Sequence, residues 1–477
     1  MKRFFRRLGV LAALLAVLGG CKTLSTNLSI PQQRIPLSYQ QEHADSANIA
    51  RIEWRQYFSD SMLLQLIDTA LANSMDLQVA FQRVEASRWL VKGASGAMLP
   101  QVSADISGGV SRFGLYTSDG AGNANSEIAP GKQTPKHLPD YRIGLTSTWE
   151  VAAWGKLRNQ RKAAVARYLS TAEGVNLVIT SLIADVAEAY YELLALDNEL
   201  DIIRQAAAKN EEALEIAVIQ KQVGRANELA VQQLKVQQIG SQVMEKEKQQ
   251  QRVETENRLN FLLGRFPKPI ACCKEMLFSE LPHQIAVGLP MQLLLNRPDI
   301  REAELQVKAA QFDLKAARAA FFPSLNISAS YGLNAYSMGY LFKSPASLAY
   351  SILGGLSLPL MNRSALKAEF GIAKSNQLEA MYVYQKTILN GYIEVVNQLS
   401  NIDMLRQVGS LKKQECMAIN QSIETSIDLF KTAKASYLDV LMAQQNALNA
   451  NLEMISTYKQ QRIAAVGMYK ALGGGWK

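Results

Sequence analysis

Four cysteines in 477 residues are too few, and too irregularly spaced, for a disulfide framework. Cys21 closes an apolar N-terminal stretch, which leaves Cys272, Cys273 and Cys416 for the body of the chain. The vicinal pair Cys272-Cys273 has three readings: a strained disulfide, part of a metal site, or two incidental thiols. Histidine is scarcer still. His43, His137 and His283 lie in unrelated segments, and there is no HExxH, CxxC, phosphate loop or nucleophile elbow. Gly120-Ala121-Gly122 falls in a loop and matches no such pattern. These absences leave an enzyme little to work with. Beyond residue 20, no stretch approaches the ~18 uninterrupted apolar residues of a membrane helix. No basic run with interleaved aromatics points to nucleic acid. The formal charge of +9 falls to +5 without the four cations among the first seven residues, an unremarkable value. Proline is missing from 140–266 and from 360–477.

The N-terminus reads as an export signal over 1–20. Lys2, Arg3, Arg6 and Arg7 form a basic region, residues 8–18 an apolar core, and Gly19 and Gly20 precede Cys21. Leu18-Gly19-Gly20-Cys21 resembles a bacterial lipobox, which implies cleavage and acylation of Cys21. Lys22 follows where an inner-membrane retention signal would place Asp, so the resemblance favours the outer membrane. Residues 21–53, polar and carrying Pro31 and Pro36, read as a lipidated tether.

The rest of the chain is written twice. Residues 73–100 and 296–323 align without a gap and share nine of 28 residues, Asn73/Asn296, Asp76/Asp299 and Pro100/Pro323 among them. Internal symmetry of this kind marks a duplicated architecture. Two structural repeats are expected, 54–265 and 291–477, joined by an equatorial linker at 266–290. In the first, a helix starts at Trp54, with Ser59-Asp60-Ser61 as a cap before Met62, Leu63, Leu66 and Ile67, and it and its continuation run to about Ala97. Pro100 stops it.

Alternating strands follow at about 101–113 and 140–151. Val102, Ala104, Ile106, Gly108 and Val110 share one face; Ser103, Asp105, Ser107 and Ser111 lie on the other. Tyr141, Ile143, Leu145, Ser147, Trp149 and Val151 alternate in the second strand, and 114–139 reads as a long loop. The second repeat predicts strands at about 324–336 and 348–359, separated by a loop carrying Tyr336, Tyr340 and Phe342. Each run approaches the ~9–11 residues of a tilted membrane strand.

The proline-free tracts carry helical seams. Ile179, Leu182, Val186, Leu193, Leu196, Leu200 and Ile203 form one; Leu389, Tyr392, Val396, Leu399, Ile402, Leu405 and Val408 form the other. Each tract is broken once, near 224 and near 434, by a tight helix–helix turn. Val223, Gly224, Arg225, Ala226 and Asn227 make the first turn; Ala433, Lys434, Ala435 and Ser436 make the second.

Four membrane-length strands per chain cannot stand alone in lipid, because an open sheet leaves two unpaired edges. Two copies would give a plugged barrel; three give twelve strands with room for a lumen. The expected fold is therefore a membrane α+β one: a trimeric 12-stranded transmembrane β-barrel continued by a long α-helical barrel of coiled-coil hairpins.

Five segments resemble the TolC/OprM-like outer-membrane factors, in the lipoprotein (NodT-type) branch that serves tripartite efflux pumps. They are the lipobox; Trp54-Arg55-Gln56-Tyr57-Phe58-Ser59-Asp60; and Trp149-Glu150-Val151 with Trp154-Gly155-Lys156. The fourth is Asn296-Arg297-Pro298-Asp299-Ile300 through Phe322-Pro323, and the fifth is Gly473-Gly474-Gly475-Trp476. The resemblance implies a passive exit duct with no cofactor beyond the lipid on Cys21. It implies as partners a periplasmic adaptor, an inner-membrane pump and two further copies of the chain. It places adaptor docking on the two turns and a periplasmic gate of luminal carboxylates at Glu424 and Asp428. The second turn departs from the pattern, with Ala433 where glycine is usual. The rival readings are a duct for type I protein secretion and a non-channel periplasmic coiled-coil scaffold.

Overall fold

The computed structural model describes residues 25–26, 28–30, 35–36, 38–39, 48–224, 227–279, 287–359, 361, 363–432 and 434–476. The export signal, Cys21, most of the tether, Arg225, Ala226 and Ala433 lie outside the described residues.

In the first repeat, a single helical turn at Trp54–Tyr57 precedes α1 (Ser61–Asn73) and α2 (Met75–Gly96). Strand β1 (Gln101–Ser111) leads through α3 (Ser118–Ala124) and the short strands β2 (Glu127–Ala129) and β3 (Lys132–Gln133) to β4 (Leu138–Val151). Helices α4 (Lys156–Gln222) and α5 (Glu228–Leu262) form the first hairpin. The second repeat holds α6 (Pro298–Ala319), β5 (Ser324–Ala335), β6 (Leu348–Ser357), α7 (Ser364–Lys431) and α8 (Tyr437–Ala471). The duplication shows in the lengths: 22 residues in both α2 and α6, 67 and 68 in α4 and α7, and 35 in both α5 and α8. At 1.5 Å per residue, α4 and α7 each run about 100 Å.

Two expectations need correction. The run from Trp54 to about Ala97 is not one helix. Asp60 leaves the helical conformation and accepts a hydrogen bond from the Met62 amide (2.8 Å), capping α1, and Ser74 breaks the chain again at ψ 125°. A cap of this kind opens a new helix because it satisfies an amide that has no partner within the helix. Nor is 114–139 a structureless loop. Thr117 caps α3, and Glu127↔Gln133 pairing closes a small hairpin. The glycine-rich composition concealed both.

The chain forms two compact units. Among the described residues, those within Ala86–Tyr168 and Leu305–Tyr382 build the first; those within 48–85, Leu169–Glu304 and Val383–Lys477 build the second. The first unit contains a four-stranded antiparallel sheet in the order β1-β4-β5-β6. Its register pairs Gln101 with Thr148, Val151 with Leu325 and Ser324 with Ser357, so all four helix junctions lie at one end of the sheet. The connections 112–137 and 336–347 lie at the other end.

The second unit holds the core. Tyr190, Ile183, Leu193, Leu194 and Ile203 of α4 pack with Leu63 and Ile67 of α1, Leu259 of α5, and Ile455 and Met468 of α8. Close to the turns, Ala217, Val231 and Leu234 form a smaller cluster with Tyr437 and Leu441. Asn210 donates to Ser241 there at 2.8 Å, satisfying a polar pair inside the hairpin.

Candidate channel wall, clamp and hairpin turns

Period-2 side-chain alternation combined with this register sorts the sheet into two unlike faces. Val102, Ile106 and Val110 of β1 line up with Ile143 and Leu145 of β4, Leu325 and Tyr331 of β5, and Tyr350 and Ile352 of β6. This apolar face is bare: Ile106 is 81% exposed and Tyr350 76%. A half-buried soluble hairpin would cover it. The opposite face carries hydroxyls and charge. Ser103 and Thr146 share a hydrogen bond of 2.8 Å, Thr146 also donates to Asp105, and Ser330 pairs with Ser351 at 2.8 Å.

Gly144 and Gly332 oppose one another in the centre of the polar face. A Cβ on Gly144 would stand 2.6 Å from the Tyr331 carbonyl oxygen, so no side chain fits there. Glycine at such a point lets a sheet curve, here with room on the polar side.

At the junction end, aromatic residues hold the strands to the helices. Trp149 Nε1 donates to the Met98 carbonyl at 3.0 Å, next to Pro100. Trp154 Nε1 donates to the carbonyl of Pro323, the equivalent proline of the other repeat, and its ring stacks on Phe322. Lys156 reaches back to Glu150 at 3.0 Å. Trp149-Glu150 and Trp154-Gly155-Lys156 thus act as one joint.

The two most specific sequence motifs meet in a clamp. Arg297, buried, grips Asp299 in two hydrogen bonds (3.0 and 2.7 Å), Glu394 of α7 (2.7 Å) and the Ala471 carbonyl that ends α8 (2.7 Å). Asp299 and Glu394 hold its guanidinium pKa above the ordinary range, against the desolvation of burial. Trp476 Nε1 donates to the Asn296 carbonyl at 3.0 Å, and Arg301 lies over the Trp476 ring at 5.2 Å. Gly473, at φ +86°, passes so near Asn296 that a Cβ would meet its backbone at 2.6 Å. The terminal glycines therefore exist to let the chain end press against the Asn296-Arg297 turn.

The segment Trp54 to Asp60 is fixed in the same unit. Tyr57 stacks on Tyr469 (4.2 Å) and donates to the Ala465 carbonyl at 2.8 Å, while Tyr190 donates to Asp60 at 2.7 Å. Burial and this carboxylate contact raise the Tyr190 pKa above its ordinary value. Sequence reasoning missed Arg462, which is buried and bonds the Leu277 carbonyl (3.2 Å) and Ser279 Oγ (2.6 Å) of the linker. Its one signal was a lone cation ahead of the apolar run Ile463-Ala464-Ala465-Val466.

Cys272, Cys273 and Cys416 are free thiols, so the disulfide reading of the vicinal pair fails. Cys272 Sγ donates to Asp197 at 2.9 Å, and Cys273 Sγ to Glu275 at 3.1 Å. Burial, reinforced by Asp197, pushes the Cys272 thiol up to about 12.

The hairpin turns use different chemistry. Gly224 takes φ +72° and Asn227 Oδ1 accepts from the Ala230 amide at 2.9 Å. The second turn has no glycine. The Lys434 amide returns to the Leu429 carbonyl at 2.8 Å, and Ser436 and Asp439 form a capping box. Val223, Gly224, Lys434 and Ser436 are exposed, while Ala435 is partly covered. Glu424 and Asp428 sit one turn apart near the end of α7, both exposed.

The profile of the outer membrane efflux protein family matches residues 66–265 and 289–474. The chain belongs to that family. It is 30% identical to the probable efflux pump outer membrane protein TtgC of Pseudomonas putida, over 98% of this chain and 95% of that one. It is 25% identical to the probable outer membrane lipoprotein SilC of Salmonella typhimurium, over 96% and 97% of the two chains. A crystal structure of CusC superposes with a TM-score of 0.82 at 24% identity, covering 94% of this chain and 99% of that one. The fold is thus that of the outer-membrane efflux channels, with four barrel strands per chain and long helical hairpins. The protein is an outer-membrane component of an efflux system. The family is one of channels, not of enzymes.

Proposed function

We propose that three copies of this chain close their sheets into a twelve-stranded barrel and form the passive exit duct of a tripartite efflux pump. One observation carries this reading: a sheet with a bare apolar face, a hydroxyl-lined opposite face, and β1 and β6 each paired, among the described residues, on one side only. In lipid, unpaired strand edges cost several kcal/mol per unsatisfied group. Closure with neighbouring copies removes the edges and turns the polar face inward. The bare apolar face speaks against a soluble coiled-coil scaffold. Lipidation at Cys21 follows from the lipobox and agrees with the lipoprotein named among the relatives.

In this duct the chemistry belongs to the inner-membrane pump, and the chain itself turns over no substrate and needs no cofactor. The turns around Gly224, Arg225 and Ala226 and around Ala433, Lys434 and Ala435 receive the periplasmic adaptor. Val223, Asn227 and Ser436 flank these contacts. Cargo is small molecules, chosen by the pump. Glu424 and Asp428 narrow the periplasmic end, since carboxylates from three chains repel one another and attract cations.

Single-channel conductance in planar bilayers tests both parts. Small cation-selective openings that widen in the Glu424→Ala, Asp428→Ala variant are the expected result. Equal conductance in the two proteins moves the gate elsewhere. No conductance from a preparation shown to be trimeric overturns the duct.

A further inference from the structure

The helices joined to the sheet carry more positive charge than the whole protein. Residues 86–100, 152–168, 305–323 and 358–382 hold thirteen Lys and Arg against three Asp and Glu, whereas the chain as a whole is +9. The placement runs against helix energetics. Neither α4 nor α7 has an acidic residue in its first turn, and α4 opens with Lys156, Arg158, Arg161 and Lys162. Cations at a helix N-terminus oppose its dipole, so intrinsic helix stability does not explain them.

The two repeats agree on the detail. Lys92 lies over the Trp89 ring at 4.4 Å, and its equivalent Lys315 lies 5.4 Å from the ring of the equivalent Phe312. Lys162 approaches the same Phe312 ring at 5.7 Å. Trp89 is 55% exposed, and Leu90, Leu99 and Phe322 of the same helix ends are exposed as well. Among the described residues, Lys92, Arg158, Lys162 and Lys315 form no ion pair with a carboxylate. An aromatic body with a lysine head three residues on is suited to a membrane–water boundary, where the ring sits among headgroups and the ammonium stays wet.

We infer that these helices form a cationic–aromatic collar that binds anionic phospholipid headgroups of the periplasmic leaflet. This rests on the reading that the sheet spans the membrane. The collar begins where the apolar face of the sheet stops, because all four helix junctions lie at that end. Polar contact with a lipid surface is the occupant that continues the lipid contact of the strands, and its charge is opposite.

Tryptophan quenching in mixed micelles measures the binding of brominated phosphatidylglycerol relative to brominated phosphatidylcholine. The full-length protein is compared with a Lys92→Gln, Arg158→Gln, Lys162→Gln, Lys315→Gln variant and with Lys235→Gln, an exposed cation of α5, as a control. The expected result is a preference for phosphatidylglycerol that falls with salt, weakens about fivefold for each collar cation removed, and survives in Lys235→Gln. Inorganic phosphate at matched ionic strength leaves the preference intact. Equal binding of the two lipids, a preference unchanged in the quadruple variant, or competition by phosphate overturns the collar. So does loss, in that variant, of co-sedimentation with peptidoglycan without loss of lipid preference. The conductance measurement separates the two levels: a conducting protein without lipid preference loses only the collar, whereas a non-conducting trimer loses the duct.

Discussion

Helices α4 and α7 carry the same sequence signature, an apolar seam at three- and four-residue steps, yet the chain treats them differently. In α4, Val186 and Leu193 are 0% exposed, sealed by α1, α5 and α8. In α7, Leu389 is 45% exposed and Val408 41%; Tyr392 is covered by stacking on Tyr39 of the tether. One seam is core throughout; in the other, Val396, Leu399 and Ile402 pack against the same core while Leu389 and Val408, towards its two ends, stay open. In the proposed trimer these open positions are the ones a neighbouring copy would cover. The contrast separates residues that fold the protomer from residues that assemble it.

The clamp ties the start of α6 to α7 and to the end of α8, and breaking it should have the largest effect. Arg297→Ala strands Asp299 and Glu394 and frees the end of α8. Loss of one partner from a fully buried charged network costs about 3–5 kcal/mol; Asp299 and Glu394 keep contact with solvent, which sets the cost at the lower end, and the variant is expected to unfold at clearly lower denaturant when followed by circular dichroism. Unchanged unfolding would mean the clamp does not hold α6, α7 and α8 together.

The seams themselves are compared by Leu193→Ala and Leu389→Ala. The first removes core volume and is expected to cost about 2–5 kcal/mol of unfolding stability. The second should stay within about 0.5 kcal/mol in unfolding and instead shift the trimer toward monomers on native electrophoresis. Equal losses of stability from both variants would erase the distinction.

Smaller effects come from the turns. Asn227→Ala and Ser436→Ala each remove a helix cap, worth about 1 kcal/mol. Hydrogen exchange should report faster opening of α5 in the first variant and of α8 in the second, each confined to its own hairpin. The smallest effect concerns Cys272. Its thiol is raised from an ordinary 9.0 to about 12, so the protonated form is the one the fold favours. The associated stability is fully present below about pH 9 and is lost as the pH rises through about 12. In a Cys273→Ser, Cys416→Ser background, alkylation of Cys272 should stay slow and climb about tenfold per pH unit from about pH 7 to 10 without levelling off; a plateau above a midpoint near 9 would contradict the Asp197 contact.

Much of the fold could be read in advance because it depends on local pattern. The four strands end within two residues of their expected limits, since period-2 alternation and the prolines at 100 and 323 mark them. The turns were found from Gly224, Asn227 and Ser436. What stayed hidden depended on contacts across the chain. Nothing local shows that Arg297 reaches Ala471, that Trp154 closes on Pro323, or that Arg462 holds the linker. Lys92 and Lys315 stood among the nine repeated identities, but their aromatic partners became visible only in three dimensions.

The sequence by itself determined the duplication, the alternating strands, the long helices and the family. Each rests on periodicity or on motifs that survive without knowledge of neighbours. The tertiary structure alone decided which seam is core and which remains open, which face of the sheet is bare, and where the scattered motifs meet. Burial is a property of what else packs against a residue. Two similar patterns therefore diverge once α1, α5 and α8 cover one of them throughout and leave the ends of the other, Leu389 and Val408, open.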